Sequence, residues 1–219
     1  MRIAITPAAL ITRGHNLSAR YTALHHRNFR LFWFGQMISL VGTWMQNVAQ
    51  GWLVYQLTGS AFALGLVGMA ASLPVLILSL FGGVIADRFD RRNTLLVTQT
   101  AAMIQALFMA WLIWAGHIQV WHVYLLSFTL GMINAMDTPT RQAFVVDLVA
   151  KQDVPNAVAL NSTVFNLARV VGPAVAAILI ASVGIAAAYL INGVTFIAVL
   201  IGLAMIRMPQ GIVRSTTRS

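Results

Sequence analysis

One arginine stands alone inside a long apolar run. Arg169 follows Ser162 by seven residues, with Asn166 between them at i+4 and Pro173 beyond at i+11, so a helix puts all four on one face. Counted from the start of its run, Arg169 lies roughly 18 Å along a helix rising about 1.5 Å per residue, near the midplane of a bilayer core about 30 Å thick. An arginine at that depth costs about 3 kcal/mol even on a lenient scale, so it requires a partner, a carbonyl cluster, water or an anionic ligand. A second polar face carries Gln36, Thr43, Asn47 and Gln50, at i, i+7, i+11 and i+14. Amides in hydrocarbon must face protein or water, so this stripe either hydrogen-bonds neighbouring helices or lines an aqueous cavity. The chemistry open to such residues is binding, not bond making.

The acids agree with that reading. There are five, all aspartate. Asp137 is the nearest to Arg169 in depth, but the apolar run before it ends at residue 136, which places it within about 6 Å of the membrane boundary. Asn134, one turn deeper, is the better neutral partner. No acid stands where a proton relay would need one, and His117 and His122 fall near a membrane surface. The chain has no cysteine, which excludes thiolate nucleophiles, thiolate metal sites and disulfides. It shows no Gly-x-Ser-x-Gly, no His-Glu-x-x-His and no phosphate-binding glycine loop. The expectation is a non-enzyme with no cofactor, no metal and no nucleotide-driven step.

The elements that must position these residues are helices crossing a membrane. Apolar residues make up 59% of the 219 and charged ones 9%, against about a quarter charged in soluble domains. Apolar runs cover residues 31–57, 61–86, 94–115, 120–136, 157–183 and 186–206, each long enough for a spanning helix. Basic residues other than Arg169 fall on one side only. The N-terminal tail holds Arg2, Arg13, Arg20, Arg27 and Arg30; the second-to-third connection holds Arg88, Arg91 and Arg92. Arg141 and Lys151 lie in the fourth-to-fifth, and Arg207, Arg214 and Arg218 in the C-terminal tail. Connections at 58–60, 116–119 and 184–185 contain none, which predicts that both termini are cytoplasmic. A net charge of +9 distributed in this way marks topology and not a nucleic-acid face.

The expected organisation is a basic cytoplasmic tail over 1–28, a six-helix transmembrane bundle over 29–207, and a cytoplasmic tail or the start of a central loop over 208–219. Residues 141–150 read as an amphipathic segment on the membrane surface, with Phe144 and Leu148 one turn apart. Asp153 and Pro155 read as the N-cap and early proline of the fifth helix. Pro74 and Pro173 interrupt the second and fifth runs at corresponding places if helices one to three and four to six are inverted triplets. Matched interruptions of that kind point toward a transporter repeat, although prolines are also common in spanning helices.

The most specific motif joins the second and third helices: Gly83, Asp87, Arg88, Arg91 and Arg92, spaced Gly-x-x-x-Asp-Arg-x-x-Arg-Arg. It resembles the cytoplasmic loop signature of the major facilitator superfamily, with Asp90 in place of the signature's second glycine. The segment around Arg169, Gly172 and Pro173 resembles that family's fifth-helix packing motif, with alanines where glycines are usual. The family's fourth-helix arginine is absent, and Ser127 stands near its place. Asp137, Pro139, Arg141 and Gln142, followed by Asn156, Asn161, Ser162, Phe165 and Asn166, resemble the bacterial branch containing the enterobactin exporter. The likeness covers residues 21–208.

The resemblance implies an all-α integral membrane protein, six transmembrane helices as two inverted three-helix repeats, in a bacterial inner membrane. It implies secondary export of small organic molecules by alternating access, with Gln36, Thr43, Asn47, Gln50, Asn134, Ser162, Asn166 and Arg169 as cavity candidates. The loop from Gly83 to Arg92 is expected to latch, and helix six to be a peripheral support. Family members have twelve helices, so the expected partners are the lipid bilayer, a small-molecule substrate and either a missing C-terminal half or a second copy of the chain. A truncated product without transport of its own and a homodimerising half are both consistent with the residues, the former favoured. Arg169 suggests an anionic group on the cargo, whose identity the residues leave open.

Overall fold

The computed structural model describes residues 21–206, apart from the side chains of residues 79–88. Six long helices make up the bundle: α1 (Arg27–Thr58), α2 (Ala61–Arg88), α3 (Arg91–Trp114), α4 (Val120–Asp147), α5 (Val154–Ser182) and α6 (Ile185–Met205). Short 3-10 turns at Thr22–His25 and Lys151–Asp153 precede α1 and α5. There is no strand among the described residues. The three connections that lack basic residues are tight hairpins, and each turns on a left-handed glycine, Gly59 (φ 62°), Gly116 (φ 70°) and Gly184 (φ 101°). Glycine alone adopts that backbone without a Cβ penalty, which is why turns of two to five residues can reverse helices of this length.

Among the described residues, four helices are long and apolar enough to cross a membrane by length and composition: Ala61–Leu78 in α2, Arg91–Trp114, Lys151–Ser182 and Ile185–Met205. The expectation of six is met in part. α1 and α4 have the length, at 32 and 28 residues, but carry too many polar side chains. The shortfall is informative, because these two helices supply much of the polar interior described below.

The most extensive contacts join α2 to α4, α1 to α6, α3 to α6 and α1 to α5. Small residues set these seams. A Cβ on Gly172 of α5 would stand 2.5 Å from Trp44 Cβ and 3.0 Å from the Met45 nitrogen of α1. Gly131 of α4 lies against the Ala71 carbonyl of α2, one turn from Pro74. Helices in lipid associate through such close backbone approach, since lipid tails are as apolar as leucine and offer little hydrophobic gain. The seam at α5 continues as Ala157, Leu160, Val164, Ala168, Gly172 and Ala176, all buried at helical spacing.

Two apolar layers bracket the polar interior. Near the basic end, Phe29, Phe32, Leu95, Phe144, Leu148, Leu160, Phe196 and Leu203 pack together, with Phe32 and Phe144 edge to face at 5.3 Å. At the other end, Met45, Leu53, Val54, Val67, Met109, Val123 and Tyr189 form the second layer. α6 packs one face against α1 and α3 and sends Asn192 inward, while Leu190, Val194 and Ile201 of its other face are exposed.

Two local expectations change. α4 does not stop at residue 136 and give way to a surface segment over 141–150; it runs unbroken through Pro139 to Asp147. Asp137, Thr140 and Phe144 are all buried on one face, so packing continues past the proline. Asp153 does stand at the N-cap of α5 with Pro155 in the first turn, but its side chain caps nothing. Its carboxylate instead meets His26 Nε2 at 2.7 Å, while Asn156 Oδ1 accepts from the Ala23 amide at 3.0 Å. These contacts fasten the turn before α1 to the start of α5.

Candidate functional site

Two polar clusters occupy the interior. The first is built on Asp137, which is 1% exposed. Its Oδ1 accepts from Thr98 Oγ1 and Gln99 Nε2, each at 2.7 Å, and its Oδ2 pairs with Arg141 one turn along α4. Gln36 of α1, with its amide oxygen turned to the guanidinium, accepts from Arg141 Nε at 3.1 Å. A buried carboxylate is tolerated only when paired and fully hydrogen-bonded, and here three side chains from two helices satisfy it. Arg141 in turn spends its donors on Asp137 and Gln36, so the pair presents no net charge.

The second cluster contains no charge. Asn192 Nδ2 of α6 donates to Gln46 Oε1 of α1 at 2.6 Å, and Gln46 Nε2 donates to Gln105 Oε1 of α3 at 3.5 Å. Gln105 Nε2 reaches the Leu126 carbonyl of α4 at 3.4 Å, and Thr195 Oγ1 reaches Asn192 Oδ1 at 3.3 Å. Four helices are thus tied by amides alone.

Both clusters form the inner wall of one cavity of about 350 Å³, to which all six helices contribute. Its outer wall carries Asn47, Asn134, Thr138, Gln142 and Asn161, together with the rings of Trp44 and Phe165. Those rings meet edge to face at 5.6 Å.

Of the residues expected from the sequence, Thr43, Asn47 and Asn134 line this cavity. Gln36 lies buried just beyond it and acts on the lining through Arg141. Gln50, Ser162, Asn166 and Arg169 do not line it. Ser162, Asn166 and Arg169 sit on the exposed side of α5, because the small residues of the Val164–Ala168–Gly172 seam take the inward face. Arg169 rests over the Trp44 ring at 5.7 Å, a cation–π contact at the rim of the cavity. Its partner is therefore an aromatic face and not Asn134.

Within the loop motif, Gly83, Asp87 and Arg88 lie outside the described side chains. Arg91 pairs with Asp147 at 2.6 Å and donates to the Ala143 carbonyl at 3.3 Å, at the C-terminal end of α4. Arg92 donates to the Leu203 and Ala204 carbonyls at 2.7 and 3.0 Å, satisfying orphan acceptors at the end of α6. Both arginines therefore hold this bundle together at its basic end. Asp90, where the signature has glycine, is the N-cap of α3 and accepts from the Asn93 amide at 2.8 Å. Ser127, in place of the family arginine, is buried with no hydrogen-bond partner for its hydroxyl among the described residues.

Sequence reasoning passed over Gln46, Gln99, Gln105, Asp137 and Asn192 as lining residues. The signal for Asp137 was present: Asp137, Arg141, Phe144 and Leu148 recur at helical spacing, which carries α4 past residue 136. The isolated amides on α3 and α6 also interrupt otherwise apolar runs, and polar residues inside a membrane face the bundle interior.

An all-helical bundle with a polar cavity and this loop motif matches a known family. The family described as transmembrane secretion effector covers residues 18–215. The chain belongs to the major facilitator superfamily. It is a multi-pass membrane protein of a bacterial type, and its relatives are transporters. It is 29% identical to the staphyloferrin A transporter of Staphylococcus aureus, over 80% of this chain and 45% of the relative. It is 24% identical to the macrolide efflux protein A of Streptococcus pyogenes, over 83% of this chain and 45% of the relative. It is 27% identical to the multidrug efflux pump Tap of Mycobacterium tuberculosis, over 70% and 38% respectively. The chain thus spans less than half the length of the curated relatives it matches.

Proposed function

We propose that this major facilitator chain is the six-helix half of a secondary exporter of small organic molecules. All six helices span the membrane as two inverted triplets, and the basic end faces the cytoplasm. The observation that carries the reading is the cavity itself. A polar chamber to which every helix contributes, in a bundle made to cross a membrane, is the kind of site that binds a small molecule. The pairing of α2 with α4 and of α1 with α5 supports the triplet arrangement, because exchanging the two triplets interchanges these seams.

Alternating access requires a second six-helix body, and the exposed stripe of Ser162, Asn166 and Arg169 faces it. That body is the remainder of a longer chain or a second copy, and mass measurement in detergent distinguishes the two. The C-terminal end of α2, from Gly83 to Arg88, latches against it in one state. The efflux relatives support export as the direction of transport.

The test is substrate-dependent flux from loaded vesicles into which the chain has been reconstituted, alone and together with the second body. Asn134→Ala and Asn47→Ala are expected to lower efflux while insertion and expression stay normal. Flux that is identical in both variants, or absent in every assembly, sinks the reading.

A further inference from the structure

We infer that the cavity takes an uncharged cargo, one that carries several hydroxyl, carbonyl or amide groups beside a flat apolar face. The inference rests on the transporter reading of the same cavity and assigns its ligand chemistry. Among the described residues lining the cavity, the charged groups are Asp137 and Arg141, and each is spent on the other. Asp137 has its remaining capacity filled by Thr98 and Gln99, and Arg141 is further engaged by Gln36. An ionic cargo would have to displace one member of this ion pair, whose carboxylate is buried, or leave its own charge without a counter-ion in the lining, and either is costly.

What the wall does offer is neutral. Asn47, Asn134, Gln142 and Asn161 have no hydrogen-bond partner for their side chains among the described residues, and each presents both donors and acceptors. Deeper in the wall, Gln99 is 3% exposed and its Oε1 is an orphaned acceptor, its Nε2 being committed to Asp137. A buried acceptor without a donor calls for an N–H or O–H from whatever fills the chamber. One turn from Asn47 and Asn161 on the same helices stand the rings of Trp44 and Phe165, 75° apart. Arg169 lies over Trp44 at the rim, on the exposed side of α5 and outside the lining. This reverses the expectation of an anionic cargo drawn from Arg169.

The test uses the purified full chain in detergent and three probes of one shape. These are p-nitrophenyl glucoside, the corresponding glucuronide as its carboxylate, and the corresponding glucosaminide as its ammonium salt, each titrated calorimetrically. The glucoside is expected to bind about ten-fold or more tightly than either ion, since a charge placed in this lining goes unpaired. Asn134→Ala, an exposed position whose loss leaves the fold intact, is expected to weaken glucoside binding by about three-fold or more. Asn134→Asp is expected to weaken the glucoside and raise affinity for the ammonium probe. Tighter binding of the glucuronide, lost in Arg169→Ala or Arg141→Ala, overturns the inference, as does failure of all three probes to bind at millimolar concentration. Binding preference without flux sinks the transport reading alone, whereas flux with a charged preference sinks the inference alone.

Discussion

The two polar clusters share one cavity wall but solve the problem of polarity in an apolar bundle differently. The Asp137 cluster concentrates charge and closes on itself: one acid, one base, and three neutral side chains aimed at them. The Gln46–Gln105–Asn192 cluster spreads polarity over amides from separate helices, with one short bond, two long ones and no charge. The difference teaches where rigidity and tolerance lie. A charge-assisted network in low dielectric is strong while complete and fails badly when one member is lost, whereas an amide network loses its members one at a time.

The sharpest way to break the comparison is Asp137→Ala. It strands Arg141 in the interior and is expected to destabilise the bundle by about 3–5 kcal/mol in a reversible denaturant titration in detergent. The double variant Asp137→Ala with Arg141→Leu should recover much of that loss, because the uncompensated charge is gone. A cost below that of any amide variant would erase the distinction between the clusters.

Next in size is Thr98→Val, which keeps the shape and removes one hydrogen bond to a carboxylate, expected to cost about 1.5–3 kcal/mol. Asn192→Leu removes a neutral hydrogen bond and leaves Gln46 Oε1 in want of a donor. Interhelical bonds of this kind average about 0.6 kcal/mol and reach about 1.7, so the melting temperature should fall less than for Thr98→Val. Equal losses at the two positions would show that charge adds nothing to the first cluster. Smallest of all is Arg169→Ala, which forfeits an exposed cation–π contact of about 0.5–1 kcal/mol and should appear chiefly as a change in Trp44 fluorescence.

Much of the architecture was legible in the chain before any packing was considered. Six helices, the all-helical class and short hairpin connections at 58–60, 116–119 and 184–185 follow from apolar runs separated by short uncharged connections. Water is absent along such runs, so each must satisfy its own backbone, and only helices or closed barrels do so. The polar stripe of α1 was also readable, since amides at helical spacing in hydrocarbon demand a sheltered face, and Thr43 and Asn47 do line the cavity.

The rest depended on which faces meet. Arg169 could be placed at depth by counting, but not oriented, because the seam of Val164, Ala168 and Gly172 competes for the inward face and wins by allowing backbones to touch. Asp137 was passed over as a lining residue because Pro139 and Arg141 read as an ending, although its helical spacing to Phe144 carries α4 onward, and there Phe144 packs against Phe32. Residue type and spacing determined that this chain crosses a membrane and carries polar groups within it, since those depend on transfer from water and on local helix geometry. Which of those groups neutralise one another and which remain free for a ligand was decided by tertiary structure alone. Hydrogen bonds reach only about 3 Å, and no periodicity in a single helix records what its neighbours bring to that distance.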